Sequence, residues 1–343
     1  MTAGGLIVAA VAWLSGGVNF QSLDPPEAST KRNADRKPAV TPAINAVSAT
    51  NPGFANEPAP GDPPAETVRI ATFNIKQFGP KKSSDPAVLR HIADLIADHD
   101  VVAIQEVRGE DGESIGRLID HLNHHGGQFA ATVSERIGTS TRYREAYAFV
   151  WNRVTIERVP GTDFVIEDPE QRMARQPMTC SFRCRADDRQ QRRPFSFTLI
   201  NVHTSPSQVT ASATLNEMDV LDDVYRSVRQ YVGETLGEDD VVLLGDLNVD
   251  EHHLRQLGQI AHLESVHGGE PTNVLGDKTY DHIVIDRVTT GEFVGRAGVI
   301  DMAERLAIDA QQAAAISDHQ PVWAEFSRFE DEPIVASRTV LVR

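Results

Sequence analysis

The sequence predicts an α/β (α+β) four-layer sandwich: two packed, mixed and largely antiparallel β-sheets flanked by helices. Three observations predict it. Short apolar segments with strand-like alternation recur from TVRIATFNI, starting at residue 67, to DHQPVWAEF, ending at residue 326. Helical spacing appears between some of them, as in DPAVLRHIADLIADH, where Asp85 can cap the helix that follows. Several strands succeed one another through turns rather than helices, as between Cys184 and Phe195, which favours antiparallel pairing.

The elements follow in order. Met1 to Leu23 carries no charged side chain, and its apolar LIVAAVAWLSGGV reads as a signal or anchor segment that would take the protein out of the cytoplasm. Residues 24–66 are rich in Pro, Ala, Asn and Ser without apolar periodicity and read as a disordered linker. From residue 67 to 328 one domain is expected, with strands at TVRIATFNI, DVVAIQEV, AYAFVWN, RQPMTCSFRC, FSFTLINVHT, DVVLLGDLN, YDHIVID and DHQPVWAEF. A helix is expected around residues 208–233, and residues 329–343 are left as a C-terminal tail. The chain has 40% hydrophobic residues in 343, enough for a sizeable core.

Charge and cysteine content narrow the classes. A net charge of −16 argues against bulk attraction to nucleic acid, yet an enzyme that must release an anionic product can be acidic. The first 66 residues hold only four Lys/Arg and six Asp/Glu, so the acidity belongs to the globular part. Cys180 and Cys184 would lie on one strand face about 13 Å apart, too far for a disulfide, and read as buried thiols.

The strand ends carry residues that strands do not need: Asn74 in ATFNI, Glu106 in VVAIQEV, His203 in LINVHT, and Asp246 and Asn248 in VVLLGDLN. YDHIV opens on Asp281, and ISDHQPV contains Asp318 and His319. Polar groups at the mouths of several strands can converge on one site, whereas scattered burial without partners would be costly. His121 and His125, four apart before a Gly-Gly pair, read instead as a helix terminus, and His252 and His253 as solvated.

In this order the motifs IQEVR, YREAY, ARQPM, HTSP, GDLN, YDHIV and SDHQPV resemble the endonuclease/exonuclease/phosphatase superfamily, and within it the deoxyribonuclease I branch, over roughly residues 68–327. The resemblance implies a metal-dependent phosphodiesterase that cuts DNA and leaves 5′-phosphates. A same-fold phosphodiesterase acting on sphingomyelin or phosphoinositides is the alternative. By the same resemblance His319 is the general base, oriented by Asp281, and His203 the general acid, paired with Glu145. Asp246 and Asn248 would contact the phosphate or a second ion and orient the attacking water. Glu106, Asn74 and Asp318 would serve a divalent cation: Mg²⁺, with Mn²⁺ as the alternative and structural Ca²⁺ left open. Lys76, Arg108, Tyr143 and Arg175 fall where that branch contacts the DNA backbone and minor groove, Arg175 having bracing of the site as its other reading. The implied partner is double-stranded DNA, and the implied state is a monomer. His282, beside Asp281, is expected to be only a strand residue. The sequence departs from that branch in lacking the cysteine pair that ties the loop after GDxN to the strand before YD, where Glu251 and Lys278 or Thr279 stand.

Overall fold

A computed structural model describes residues 66–331 apart from 110–111, 140–143 and 186–191. The expected N-terminal segment and almost all of the linker lie outside the described residues, as does Tyr143. No helix among the described residues is long and apolar enough to cross a membrane.

One sheet contains β1 (Thr67–Phe78), β2 (Val101–Val107), β3 (Phe129–Val133), β4 (Ala146–Asn152), β12 (Phe293–Val299) and β13 (Val322–Ser327), in the order β12-β13-β1-β2-β4-β3. The other contains β5 (Ile156–Arg158), β6 (Phe164–Val165), β7 (Met178–Cys184), β8 (Ser196–His203), β9 (Val241–Asp246), β10 (Leu263–Ser265) and β11 (Asp281–Asp286). Its order is β10-β11-β9-β8-β7-β5, with β6 also against β7. Each sheet has one parallel pair, β1 with β2 and β8 with β9, and is otherwise antiparallel. Helices α1 (Pro80–Ser83), α2 (Pro86–Ala97), α3 (Glu113–His124), α5 (Met302–Leu306) and α6 (Ala310–Ile316) belong to the first sheet's side, and α4 (Glu217–Leu236) covers the second.

Strand alternation explains the layering. In β1, Val68 and Ile70 face the core between the sheets, while Ala71, Phe73 and Ile75 face the helices, where α2 presents Leu89, Ile92, Ala93 and Ile96. Asp85 caps α2 as expected, accepting from the N–H groups of Ala87 and Val88 at 3.0 and 3.2 Å. The inter-sheet core is crossed by a polar tie. Gln105 Nε2 on β2 donates to Asn201 Oδ1 on β8 at 2.7 Å, and Asn201 Nδ2 donates to the carbonyls of Ile104 and Ala148, each at 3.2 Å. All four groups are buried, so sliding one sheet over the other would orphan them, at about 1–3 kcal/mol per group.

Three expectations change. The helix predicted from residue 208 starts at Glu217, because Asn216 caps it by accepting from Met218 N–H at 3.0 Å, while its amide donates to Thr210 O. Strand β12 escaped the sequence reading because its residues are largely exposed and interrupted by Gly295 and Gly298. The tail expected from residue 329 begins inside the fold: Phe329 is buried, pairs with Pro194 and carries Arg192 over its ring. Cys180 and Cys184 are free buried thiols on the face of Met178 and Phe182.

Candidate active site

The same alternation that fills the core builds the site. Asn74, Gln105, Glu145, His203, Asp246 and Asp281 continue the residue parity of the inter-sheet face, past the point where the apolar residues of each strand stop. In the second sheet three of them share one row: His203 on β8 pairs with Asp246 on β9, which pairs with Asp281 on β11. Gly245 makes the row close. Its φ is +141°, and a Cβ there would collide with the Val202 backbone on β8, which accounts for the glycine of GDLN.

Two histidine–carboxylate pairs face each other across Asp246. His203 Nδ1 donates to Glu145 Oε1 at 2.7 Å, and His319 Nδ1 donates to Asp281 Oδ2 at 2.8 Å. Their Nε2 atoms lie 3.5 and 3.6 Å from Asp246 Oδ2. Because each Nδ1 meets a carboxylate acceptor, each ring keeps its Nε2 toward the shared centre. Burial alone would lower both imidazoles. Asp281 and then Asp246 overcome it at His319 and raise it to about 10, and Glu145 with Asp246 raises His203. Burial pushes the Asp246 carboxyl up, against the pull of His319. At Glu145 burial is outweighed by His203, Arg175 and Arg108, which hold it below the usual carboxylate value.

The expected cation ligands adjoin this row. Asn74 Nδ2 donates to Asp246 Oδ2 at 3.0 Å and lies 3.5 Å from Glu106 Oε1, while the buried Asn74 Oδ1 meets no donor. Glu106 has φ +60°, at a register shift between β1 and β2, and its Oε2 accepts from Gln77 N–H at 2.9 Å. An orphaned amide oxygen beside a half-fixed carboxylate is an all-oxygen set that fits a hard divalent cation. Asp246, Asp281 and His319 also bring ligand atoms within 4.8 Å of one another, but His319 Nδ1 is already hydrogen-bonded to Asp281 Oδ2. Asp318 is half exposed and paired with Lys76 Nζ at 2.6 Å, 4.0 Å from His319 Nε2. Asn248, at φ +52°, turns its amide back to Thr204 O at 3.1 Å, with its N–H on Asp246 Oδ1 at 3.0 Å.

The expected substrate cations prove to be tethered. Arg108 donates to Arg144 O at 2.6 Å and lies 3.7 Å from Glu145 and 4.0 Å from Glu106, between the two carboxylates. Arg175 donates to the carbonyls of His203 and Thr204 at 2.9 and 2.6 Å and approaches Glu145 at 3.7 Å, so its bonds support the bracing reading.

Several contributors carried no sequence signal. Thr272, wholly buried, donates to Asp281 Oδ2 at 2.7 Å and accepts from the N–H groups of Tyr280 and Asp281 at 2.9 and 3.0 Å. Tyr147 Oη accepts from His203 N–H at 2.9 Å. Lys82 donates to Ile316 O at 2.5 Å and to Lys76 O, and burial lowers its ammonium to about 8. His282 is fully buried between Ser265 Oγ at 2.9 Å and Val249 O at 2.8 Å, away from the row. His125 closes α3 through His121 O at 2.8 Å, as a helix terminus should. Where the cysteine pair is missing, Thr279 Oγ1 bonds Gly269 O and Glu270 O, each at 3.2 Å.

Relatives carry the same architecture. The solved structure of an endonuclease/exonuclease/phosphatase family protein from Bacteroides thetaiotaomicron superposes with a TM-score of 0.53 at 17% identity, covering 77% of this chain and 98% of that one. Deoxyribonuclease-1-like 2 of Homo sapiens is 31% identical over 281 residues, 74% of this chain and 90% of that protein. Deoxyribonuclease-1 of Sus scrofa is 30% identical over 286 residues, 77% and 93% respectively. The endonuclease/exonuclease/phosphatase family model matches residues 71–319, a span that takes in the whole row from Asn74 to His319, and the chain therefore belongs to that family.

Proposed function

We propose that the protein is a divalent-metal-dependent endonuclease that hydrolyses double-stranded DNA. The observation that carries the reading is the pair of histidine–carboxylate couples facing Asp246, with Asn74 and Glu106 alongside. Hydrolysis of a phosphodiester needs a proton removed from water and another delivered to the departing oxygen, and two oriented imidazoles can divide those tasks. His319, with Asp281 holding its Nδ1–H, takes the proton of the attacking water once its Nε2 has given up its own. His203, with Glu145 behind it, gives its Nε2 proton to the 3′ oxygen as the P–O3′ bond breaks, leaving a 5′-phosphate. Asp246 and Asn248 orient water and phosphate between them, and Asp318 completes the polar floor.

Glu106 and Asn74 would hold Mg²⁺, or Mn²⁺ in its place. Such a cation would neutralise charge on the nonbridging oxygens and offset part of the carboxylate field that keeps His319 protonated. Lys76 and Arg108 supply local positive charge for the DNA backbone in an otherwise acidic chain, and Tyr143 would flank the groove. Relatives named deoxyribonucleases support DNA over a lipid phosphodiester as substrate. The apolar N-terminus supports export or anchoring outside the cytoplasm, with the enzyme acting as a monomer.

Supercoiled plasmid incubated with Mg²⁺ and the protein should be nicked, and EDTA should stop the reaction. His319→Ala and His203→Ala should each reduce the rate by at least roughly a hundredfold. Intact plasmid alongside rapid sphingomyelin turnover would reject the DNA reading, and full activity in either variant would reject the role given to that histidine.

A further inference from the structure

At the opposite end of β9 from the active site the chain gathers a second set of carboxylates. Asp240 immediately precedes β9, so it lies roughly 20 Å from Asp246 at about 3.3 Å per strand residue. Ligand oxygens of Asp240, Glu292 and Glu330 lie within 4.8 Å of one another, as do those of Glu238, Asp239 and Asp240. The acids come from separate segments: the turn after α4, the connection between β11 and β12, and the chain after β13.

Burial sets this cluster apart from an ordinary acidic surface. Asp240 is 2% exposed and Glu292 3%, and Asp240 Oδ1 and Glu292 Oε2 meet no donor. No described cationic side chain pairs with either; Arg193 bears only on Glu330. Backbone N–H groups hold one oxygen of each surrounding acid. Ser196 donates to Glu330 Oε1 at 2.8 Å, Asp331 to Glu292 Oε1 at 2.7 Å, and Asp239 and Asp240 to Glu238 Oε1, each at 3.0 Å. That anchoring leaves a second oxygen on each acid for something else. Thr290 Oγ1, buried and facing Asp240, adds an uncharged oxygen in the same connection.

We propose that Asp240, Glu292 and Glu330, with Glu238 beside them, form a structural calcium site that is separate from catalysis. Ionised together, buried carboxylates of this kind need a counter-charge, and no described side chain supplies one to Asp240 or Glu292. Carboxylates from several segments with a hydroxyl nearby suit the many-oxygen shell of Ca²⁺, whereas Mg²⁺ keeps most of its water. The ion would join the chain end after β13 to the start of β9, closing the sandwich at the edge remote from the substrate.

Thermal unfolding of the full chain tests this in CaCl₂ against EDTA. Saturating CaCl₂ should raise the midpoint by about 5 °C. Glu106→Gln, which alters the active-site ligand set, should keep that rise. Asp240→Asn and, separately, Glu330→Gln should abolish it and, with one charge fewer, should melt in EDTA at or above the unsubstituted protein. Both should nick plasmid normally in Mg²⁺. No rise with CaCl₂, a rise retained in both variants, a rise lost in Glu106→Gln, or an equal rise with MgCl₂ would overturn the assignment.

Discussion

Thr272→Val removes one hydroxyl and keeps the shape of the side chain. The hydroxyl is wholly buried, donates to Asp281 Oδ2 at 2.7 Å and accepts two backbone N–H groups at 2.9 and 3.0 Å. A hydrogen bond to a charged group is worth about 1.5–3 kcal/mol, and a donor left buried and unpaired costs a similar amount, so a stability loss of about 2–4 kcal/mol is expected in urea unfolding. The effect on rate is separable. Asp281 Oδ1 already lacks a partner, so without Thr272 the carboxylate is held chiefly by the histidine it is meant to orient. His319 would then wander within its pocket, and a displacement near 1 Å can cost about a hundredfold. In plasmid nicking well below the unfolding midpoint, kcat should fall about 10- to 100-fold with KM unchanged, and Thr272→Ser should restore most of it. A kcat within twofold of the unsubstituted enzyme would refute the positioning role, whatever the change in stability.

The neighbouring histidines of the two Asp-His pairs should behave oppositely. His282→Ala should lower stability, because it orphans buried partners at Ser265 and Val249, yet leave kcat of the folded protein unchanged, in contrast to His319→Ala. Acid should destabilise the fold through His99. It is 4% exposed, donates Nδ1–H to Leu95 O at 2.9 Å, and is lowered by burial to about 4. The unfolded chain takes up a proton below about pH 6.5 and the native ring does not. Its stabilising effect is therefore whole above that pH and is lost as pH falls toward about 4. Urea unfolding should show about 2 kcal/mol of this loss between pH 7 and pH 5, absent in His99→Gln. An unchanged pH dependence in that variant would refute the assignment.

The candidate site was legible wherever polar residues break the strand periodicity. Asn74, Glu106, His203, Asp246 and Asp281 end or begin apolar runs, so chemistry stood out against a pattern that packing explains. What stayed hidden depends on partners far apart in the chain. Thr272 looks like any loop threonine until Asp281 folds over it, and Lys82 reads as a surface lysine until the carbonyl of Ile316 receives it. Arg175 was ambiguous because a guanidinium can grip a phosphate or two carbonyls equally well, and only the fold selects the carbonyls of His203 and Thr204. The acids around Asp240 were invisible for the same reason, since they lie on segments that meet only after both sheets have closed.

The row of His203, Asp246 and Asp281 also acts as a gauge. Adjacent strands are spaced by about 4.8 Å, so the backbones at His203 on β8 and Asp281 on β11 stand about 10 Å apart whatever the loops do. From that frame the His203 and His319 Nε2 atoms reach inward to 3.5 and 3.6 Å from Asp246 Oδ2, so the two imidazoles flank one small space. A slip of one residue in either strand would turn the row out of the inter-sheet face. A misregistered chain could therefore be compact and still inert, which makes turnover a sensitive assay of strand register during refolding.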